Sequence, residues 1–542
     1  MTINSFIVPE TIVGMMLSMD ADPSSHTWPK LHRQSNNNNS NSHRGMPSFS
    51  PDHMSVVCSS SDEESDIELD DETVPCLPFI TNPRKISIAS SIVTKRRKVL
   101  VIVVRADPII CGHSTEARNI AEAALARGYE PFIITWAEEL LENSGLPLKP
   151  ADQIEPYSHG IRVLRPSAIG NYKLLDGRYN FGMTSAIVEL ARSDPDMELT
   201  VMCLYLQPHA SIVLDAVRGI RGAFGKQFDV TTVAEAVGSD VTNVLCNALR
   251  DSNYGAAITV LSDFLSFDVP VCVSEFTRSE ILRHAAEVDD AIGTNFASQI
   301  AEKASISYPA LRCSDYTDID ESVSAGILAN RGLLPGRYVL YLSRVIEAKG
   351  VFEMVKGFND SSLPSVGYEL VIVGRGEALA EVQAVTAGMR SVRHITDMAD
   401  YEKASIMRGA AVYVLASKFH PTFVETFGIV VVEAMLSGTP VITCRTGGIP
   451  EATGGHCVYA TPGDENKEGP CFDACANSLR ECLEHVCLRM TDAERNVMIT
   501  AALKYSLQFD RDCVFKRLEA QADAVRKDKM KQEMGDFVKD DF

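Results

Sequence analysis

The sequence has no apolar run that approaches the 18 or so residues needed to cross a bilayer, which argues against a membrane-spanning protein. Its N-terminal segment is mildly apolar, but it lacks a basic start and is interrupted by Pro9 and Glu10, so we expect no signal peptide. Basic residues are also scarce, with 51 Lys and Arg against 72 Asp and Glu. The formal net charge of −21 argues against nucleic acid or an anionic membrane as the main partner.

Cysteines in paired motifs are absent as well. The 14 cysteines are scattered, with no Cys-x-x-Cys motif and no spacing typical of a metal site. Several of them, including Cys203, Cys246 and Cys272, lie in apolar segments where free thiols are commonly buried. This pattern favours a reducing compartment, which we take to be the cytoplasm, and no metal cluster.

What the sequence does contain is enough apolar material for a large core. At 542 residues and 45% hydrophobic content, the chain allows two or three globular domains. Residues 1–97 differ from the rest because they are rich in Ser, Asn and Pro and include the acidic segment SSSDEESDIELDDE at 59–72. We expect a disordered, solvated tail there, with a phosphorylation or docking segment as the alternative.

Apolar runs alternate with helical patterns from residue 98 onward. A first series has predicted strands at 98–104, 131–135, 199–206, 229–234 and 269–274. A second series has predicted strands at 338–343, 368–374, 392–395, 412–416 and 440–443. Helical patterns with N-cap and glycine stop signals lie between the strands. Continuous apolar strands separated by helices predict an α/β fold with two Rossmann-like, doubly wound domains and a cleft between them.

These patterns predict a simple order of segments along the chain. The tail covers 1–97, an N-terminal Rossmann-like domain covers 98–310, and a connection covers 311–335. A C-terminal Rossmann-like domain covers 336–508, and a C-terminal helix with a frayed tail covers 509–542.

Residues 411–454 combine a strand, a polar loop, a helix beginning near Gly428 and a second strand, a parallel βαβ pattern. Glu425 precedes the helix and Glu433 lies within it, eight residues later. Because the helix is otherwise apolar, the Glu433 carboxylate needs a partner, and a ligand hydroxyl could supply one. The free N–H groups at the helix start suit a phosphate. The alternative is that both glutamates are ordinary surface charges.

Two basic residues follow the predicted strand at 338–343. Arg344 comes at the carboxyl end of that strand, and Lys349-Gly350 follows five residues later. Taken singly, each basic residue is best interpreted as a solvated side chain. Together they could clamp a diphosphate, with the arginine acting as a planar fork and the lysine as a point charge.

In combination these motifs resemble glycosyltransferase family 4. The resemblance is strongest over 338–454 and rests on Arg344…Lys349-Gly350, IVGRGE at 372–377, ETFGIVVVEAM with its Glu-x7-Glu spacing, and TGGIPE at 446–451. The N-terminal half is similar more loosely, through CGHSTEARNIAEAALARGYE, Pro208-His209 and VCVSEFTRSEIL at 271–282. Ser343 and Cys111 stand where the family often has glycine.

The resemblance implies a GT-B architecture and retaining transfer of a sugar from a nucleoside diphosphate sugar. It implies catalytic roles for Glu425, Arg344, Lys349 and His209. It implies donor contacts from Glu433, Phe427, Gly428, Ile429, Gly112, Gly374, Gly448 and Glu451. In such a site Glu433 would bind the ribose, Glu425 would bind the transferred sugar, and the two basic residues would hold the diphosphate. The resemblance implies no metal and no other cofactor, and the leaving phosphate would help to deprotonate the acceptor.

The expected partners are a nucleotide-sugar donor and an acceptor that is a saccharide, a lipid or a small molecule. Base contacts are expected near 394–398 and acceptor contacts within 157–182. Peripheral contact with a membrane, made by a helix at 114–127 or at 276–286, is kept as an alternative. Two other functions stay open: a nucleotide-sugar epimerase with the same fold, and a non-catalytic scaffold that binds a sugar nucleotide. We find no lysine context typical of a pyridoxal-phosphate phosphorylase.

Overall fold

The structure is a computed structural model, and it describes residues 96–141, 148–151, 154–171, 173, 175–238, 240–420 and 423–540. The predicted disordered tail, with its acidic segment, lies outside the described residues except for Arg96 and Arg97. Within the described part of the chain, no helix combines the length and the apolar character needed to cross a bilayer.

Seven parallel strands form the first sheet, in the spatial order β3-β2-β1-β4-β5-β6-β7. These strands are β1 Lys98–Val103, β2 Glu130–Ile134, β3 Arg162–Leu164, β4 Glu198–Leu204, β5 Val230–Ala236, β6 Val269–Cys272 and β7 Ser305–Ile306. The central strands are almost wholly buried, because helices cover both faces of a parallel sheet.

Six parallel strands form the second sheet, in the spatial order β10-β9-β8-β11-β12-β13. These strands are β8 Tyr338–Leu342, β9 Glu369–Val373, β10 Val392–Ile395, β11 Val412–Leu415, β12 Val441–Cys444 and β13 Val458–Ala460. Their side chains form the centre of a separate apolar core, in which Tyr338, Tyr341 and Tyr413 are fully buried.

Helices alternate with the strands in both halves of the chain. The first half contains α1 Gly112–Ala126, α2 Glu138–Leu141, α3 Leu175–Ser193, α4 His209–Phe224, α5 Cys246–Arg250, α6 Tyr254–Ser266, α7 Glu275–Ile292 and α8 Phe296–Lys303. The remainder contains α9 Ser314–Thr317, α10 Glu321–Asn330, α11 Val351–Asn359, α12 Leu379–Val385, α13 Lys403–Gly409, α14 Ile429–Leu436, α15 Ile449–Thr453, α16 Pro470–Glu484, α17 Asp492–Ser506 and α18 Arg511–Asp540.

The last helix, α18, returns to the first sheet. Its Arg526 is buried and pairs with Asp229 at 2.8 Å and with Glu198 at 3.2 Å. Lys529, one turn later, pairs with Asp268 at 2.7 Å. The helical backbone continues to Asp540, through most of the segment for which the sequence predicts fraying.

The strand order reverses once in each sheet, between β1 and β4 in the first and between β8 and β11 in the second. The connections that leave two such strands run to opposite faces of the sheet, so a crevice opens at their carboxyl ends. Ligands of doubly wound folds bind in such crevices. The fold therefore directs attention to the loops that follow β1, β4, β8 and β11.

The prediction of two doubly wound parallel sheets is confirmed. The predicted strands have partners in the structure, with bounds that differ by one or two residues. The sequence pattern did not reveal β3, β7, β13 or α3, and the three strands contain only two or three residues each. Such short edge strands carry too few apolar positions to form a recognisable period. The segment predicted as the connection contains α9 and α10.

Candidate functional site

The loops after β8 and β11 bring together the basic and acidic residues that the sequence singles out in this half. Arg344 follows β8 by two residues, and Lys349 ends a short 3₁₀ turn, Glu347–Lys349. Glu425 lies in the loop between β11 and α14. The Lys349 Nζ is 2.5 Å from the Glu425 Oε2, and the two side chains are only 9% and 13% exposed. Residues separated by 76 positions thus meet at the switch point of the second sheet.

An aromatic ring lies beneath both basic residues. The Phe423 ring centroid is 5.5 Å from the Arg344 guanidinium carbon and 5.0 Å from the Lys349 Nζ. Both distances fit a cation–π contact. The ring therefore helps to hold the two cations side by side, an arrangement that suits an anion with two negative groups.

Glycines allow the loops of this site to pack backbone against backbone. A Cβ atom on Gly350 would lie 1.9 Å from the Ala416 carbonyl oxygen, and one on Gly374 would lie 2.0 Å from the Ser343 carbonyl oxygen. A Cβ atom on Gly448 would lie 2.0 Å from the Thr426 carbonyl oxygen. These contacts explain physically why the motifs around Arg344, Lys349 and Glu425 contain glycine at these points.

We expect Gly350→Ala to destabilise the protein far more than Gly367→Ala. Both glycines have a positive φ, +68° and +85°, so each substitution costs about 1–2 kcal/mol of backbone strain. Only Gly350 also meets backbone atoms, whereas a Cβ on Gly367 meets nothing within 4 Å. The clash should add at least about 2 kcal/mol to the loss in the free energy of unfolding, measured by urea denaturation. Equal losses for the two variants would contradict this packing.

The starts of two helices, one from each half of the chain, come close together. Gly112 begins α1 after β1, and Gly428, with a φ of +98°, immediately precedes α14. A Cβ atom on Gly112 would lie 3.6 Å from the Ile429 Cδ1, so the Ile429 side chain packs close to the start of α1. Helix N-termini carry free N–H groups and a partial positive charge, which favours an anion between them. Phe427 is instead buried against Tyr308 and Phe509.

Glu433 is buried within α14 and has two protein partners. The Tyr316 hydroxyl donates a hydrogen bond of 2.6 Å to its Oε1, and the Lys403 Nζ lies 2.5 Å from its Oε2. Burial, together with the Glu433 charge, raises the pKa of the Tyr316 phenol. Residues of α9 and α13 thus supply the partners that the Glu433 carboxylate needs inside an apolar helix. A carboxylate can accept about four hydrogen bonds, so capacity for a ligand hydroxyl remains.

Glu451 ties the second half of the chain to the first. Its Oε2 accepts a hydrogen bond of 2.8 Å from the backbone N–H of Glu275, the first residue of α7. Burial raises the pKa of Glu451. Close by, the Ser274 hydroxyl donates to the Thr426 carbonyl oxygen at 2.6 Å. The structure therefore places Glu451 at a contact between the two halves, where it caps a helix.

The loops after β1 and β4 bring His113 and His209 to the carboxyl edge of the first sheet. His209 is buried at the start of α4, and its Nδ1 lies 2.9 Å from the Leu204 carbonyl oxygen. Since a carbonyl oxygen only accepts, Nδ1 carries the proton and Nε2 is an acceptor, which has no partner among the described residues. Burial lowers the pKa of His209 to about 4 and that of His113 to about 3. Both rings are neutral at pH 7.

Two carboxyl groups, from Glu116 on α1 and Glu235 on β5, are buried together behind this edge. Burial raises the pKa of Glu116 to about 7, although a hydrogen bond with Glu235 opposes the shift. Burial and the Glu116 charge raise the pKa of Glu235 well above its usual range. At neutral pH the pair therefore retains at least one proton.

We expect the stability of the protein to fall between about pH 4.5 and pH 7 through Glu116. The folded chain holds this proton more tightly than the unfolded chain, whose pKa is near 4.5. Protonated Glu116 therefore contributes on the order of 3 kcal/mol to the free energy of unfolding below pH 4.5. This contribution is lost as the pH rises towards 7. Glu116→Gln should flatten the profile over this interval in urea unfolding experiments. An unchanged slope in that variant would contradict the assignment.

Parts of this chain are similar in sequence to known proteins. Residues 336–470 match the family described as Glycosyl transferases group 1. Over 137 residues the chain is 35% identical to a phosphatidyl-myo-inositol mannosyltransferase of Mycolicibacterium smegmatis, covering 24% of this chain and 34% of that protein. Over 198 residues it is 27% identical to O-antigen chain mannosyltransferase B of Escherichia coli, covering 35% and 47%. The chain thus spans half or less of these curated relatives.

Solved structures resemble the chain over a much longer stretch. A glycosyltransferase from Rickettsia africae has a TM-score of 0.54 at 13% identity, covering 80% of this chain and 99% of that chain. An Anabaena protein crystallised with UDP and glucose has a TM-score of 0.53 at 16% identity, covering 78% and 99%. The fold is GT-B. The predicted fold class is thereby confirmed, and the sequence resemblance is supported at the level of a GT-B glycosyltransferase fold.

Several residues of the site were not predicted from the sequence. Tyr316, Lys403 and Phe423 come from polar or short segments with no motif around them. His113 had a weak signal, because it follows the Gly112 that the sequence did single out.

Proposed function

We propose that this protein is a retaining glycosyltransferase that moves a hexose from a nucleoside diphosphate sugar to an acceptor hydroxyl. The observation that carries the proposal is the convergence of Arg344, Lys349 and the α14 N-terminus at the switch point of the second sheet. This convergence supplies two cations and a helix start for one dianionic group. The family match over 336–470 supports the same reading.

Arg344 and Lys349 would act in catalysis through their positive charge. The bond between the anomeric carbon and the diphosphate oxygen breaks, and the acceptor oxygen bonds to that carbon on the same face. The acceptor proton passes to the leaving phosphate. Arg344 and Lys349 would stabilise the charge that develops on the diphosphate, which is usually the largest single contribution in such reactions. No protein nucleophile and no metal are needed in this scheme.

Glu425 and Glu433 would position the donor. Glu425 would accept hydrogen bonds from the transferred sugar while its contact with Lys349 sets the carboxylate in place. Glu433 would accept the ribose hydroxyls with its remaining capacity, next to Tyr316 and Lys403. His209 would present its unpartnered Nε2 to a sugar hydroxyl. Glu451 would act indirectly, by holding the two halves of the chain together.

A screen of nucleotide sugars by thermal shift tests the proposal first. A donor that binds only the folded chain raises its stability by mass action, by about 2.7 kcal/mol at 100 times the Kd. We expect a nucleoside diphosphate hexose to raise the Tm, and UDP and GDP sugars are the first to test. The Glu433→Ala variant should lose most of this shift. No shift with any nucleotide sugar would overturn the proposal.

Product analysis separates the alternatives. Transfer requires an acceptor, and the product keeps the anomeric configuration of the donor. A nucleotide-sugar epimerase would change the donor in the absence of any acceptor. A non-catalytic scaffold would bind the donor without hydrolysis or transfer across a broad acceptor panel.

A further inference from the structure

The loop that carries Glu425 is attached to the first half of the chain at the next residue, Thr426. The Thr426 hydroxyl donates a hydrogen bond of 3.1 Å to the Val237 carbonyl oxygen. The Thr426 carbonyl oxygen accepts a hydrogen bond of 2.6 Å from the Ser274 hydroxyl. Val237 directly follows β5, and Ser274 lies just beyond the carboxyl end of β6. The carboxyl edge of the first sheet therefore holds a loop that belongs to the second sheet.

Glycines from both halves let this loop pack closely. A Cβ atom on Gly238, whose φ is +138°, would lie 2.6 Å from the Thr426 Cγ2 and 2.7 Å from its Oγ1. From the second half, a Cβ atom on Gly447 would lie 1.9 Å from the Glu425 carbonyl oxygen. Neither position has room for a side chain unless the loop moves. The backbone of Glu425 and Thr426 is thus enclosed by segments of both halves.

The first half holds its own side of this contact in place. The buried carboxylate of Asp240 accepts a hydrogen bond of 2.8 Å from the Gly238 N–H. The buried Ser274 hydroxyl accepts a hydrogen bond of 3.1 Å from the Thr277 N–H and so caps α7. A hydroxyl has one proton and a carbonyl oxygen can only accept, so the Ser274 proton points to Thr426. Because satisfied buried networks are rigid, the first half presents a fixed surface to the loop.

Glu425 is held at its backbone and at its side chain. The Gly448 N–H donates a hydrogen bond of 2.8 Å to its carbonyl oxygen, and the Lys349 Nζ lies 2.5 Å from its Oε2. Lys349 sets the direction of the carboxylate, and the backbone sets the point from which the side chain extends. A misplacement of about 1 Å at a reacting group can cost on the order of 100-fold in rate. The contacts of the neighbouring Thr426 therefore lie where they can affect chemistry at Glu425.

We infer that Ser274 and Thr426 are positioning residues, which place the Glu425 carboxylate against the transferred sugar. The inference rests on the proposed function, because that function assigns the sugar to Glu425. It also extends it, since Ser274, Val237 and Gly238 lie outside the 336–470 family match. The sugar part of the donor site is complete only while the two halves are in contact. The two cations that hold the diphosphate belong to the second half alone.

Donor binding with and without the sugar tests this inference. The probes are UDP-glucose and GDP-mannose, each compared with UDP or GDP by isothermal titration calorimetry on the full-length chain. Ser274→Ala and Thr426→Val each remove one hydrogen bond, and valine keeps the shape of threonine. A charged acceptor that is misplaced loses its hydrogen bonds, so each variant should bind the nucleotide sugar about tenfold more weakly. The Kd of the diphosphate alone should not change, and Thr426→Ser, which retains the hydroxyl, should bind like the wild type.

Two controls match these variants in chemistry but lie away from Glu425. Asn253→Ala removes the cap of α6, where the Asn253 Oδ1 accepts a hydrogen bond of 3.2 Å from the Ala256 N–H. Thr439→Val removes a hydroxyl that donates to the Met407 carbonyl oxygen at 2.6 Å, before the amino end of β12. Both controls should lower the Tm much as the two test variants do. They should leave the affinities for the nucleotide sugar and for the diphosphate unchanged.

Hydrogen exchange of the ligand-free chain gives a readout that depends on no donor. Peptides that cover residues 423–428 should exchange faster in Ser274→Ala and Thr426→Val than in the wild type, and the two controls should not differ from it. Unchanged exchange in both test variants would overturn the inference, as would unchanged affinity for the nucleotide sugar. Equal weakening of the nucleotide sugar and its diphosphate would also overturn it, because that result indicates a general structural defect. If neither nucleotide sugar nor diphosphate binds to the wild type, the proposed function fails for these donors, and the exchange rates alone decide whether the contact positions the loop.

Discussion

Replacement of Lys349 by methionine is expected to lower kcat/KM for sugar transfer by about 100-fold to 1,000-fold. Removing one preorganised charge or donor from a site of developing negative charge has effects of this size. Methionine keeps most of the buried stem and removes the ammonium group, so packing around the 9% exposed side chain changes little. The measurement is steady-state kinetics with the donor found in the screen. Lys356→Met is the control, because Lys356 is a partly exposed lysine on α11 whose partner is Asp360.

The contact with Glu425 offers another explanation for such a loss. If Lys349 served only as the counter-ion of Glu425, the double variant Lys349→Met/Glu425→Gln would recover the activity. We expect no recovery, since Lys349 would act on the diphosphate and Glu425 on the sugar. Recovery in the double variant would contradict the catalytic role of Lys349.

Replacement of Lys418 by alanine is expected to lower the free energy of unfolding by about 3–5 kcal/mol. Lys418 follows β11 and is fully buried, with its Nζ 2.8 Å from the Oε1 of Glu353, which is equally buried. Breaking a buried ion pair on one side leaves an uncompensated charge, and that charge accounts for losses of this size. Burial raises the pKa of Glu353 even with Lys418 in place. The loss in Lys418→Ala should therefore be smaller at pH 5, where protonation of the Glu353 carboxyl is more favourable, than at pH 8.

The double variant Lys418→Met/Glu353→Leu distinguishes the ion pair from packing. Replacing both partners of a buried pair by apolar residues is often neutral or stabilising, so most of the loss should disappear. A double variant as unstable as Lys418→Ala would contradict this account. The pair also bears on the site, because the Lys418 N–H donates to the Ala348 carbonyl at 3.0 Å, next to Lys349. Urea unfolding at both pH values is the measurement.

Much of the fold follows from local patterns. The continuous apolar runs at β1, β4, β8 and β11 predict buried parallel strands, because only strands covered on both faces lack polar alternation. The helix start at Gly428 was also predictable, since glycine readily adopts the positive φ found there. The edge strand β3 was not predictable, because its three residues are only partly buried and show no period.

Some residues of the candidate site could be predicted from the sequence, and others could not. Arg344, Lys349, Glu425 and Glu433 were predictable because they stand in motifs with characteristic spacing. Lys418 was not, because sequence alone favours an exposed lysine and only the surrounding structure makes it fully buried. The donor contact expected of Glu451 stays a prediction, and the structure adds a contact with α7 that the sequence did not reveal. Helix capping of this kind depends on a segment 176 residues away.

The sequence by itself determined that this protein has two parallel sheets and which loops contain the charged residues. These properties depend on apolar runs, glycines and spacings of a few residues, which act within one element. Only the tertiary structure decided that Lys349 meets Glu425 and that Tyr316 and Lys403 meet Glu433. Such contacts depend on strand order and on the approach of the two halves, because neighbours in a sheet need not be neighbours along the chain.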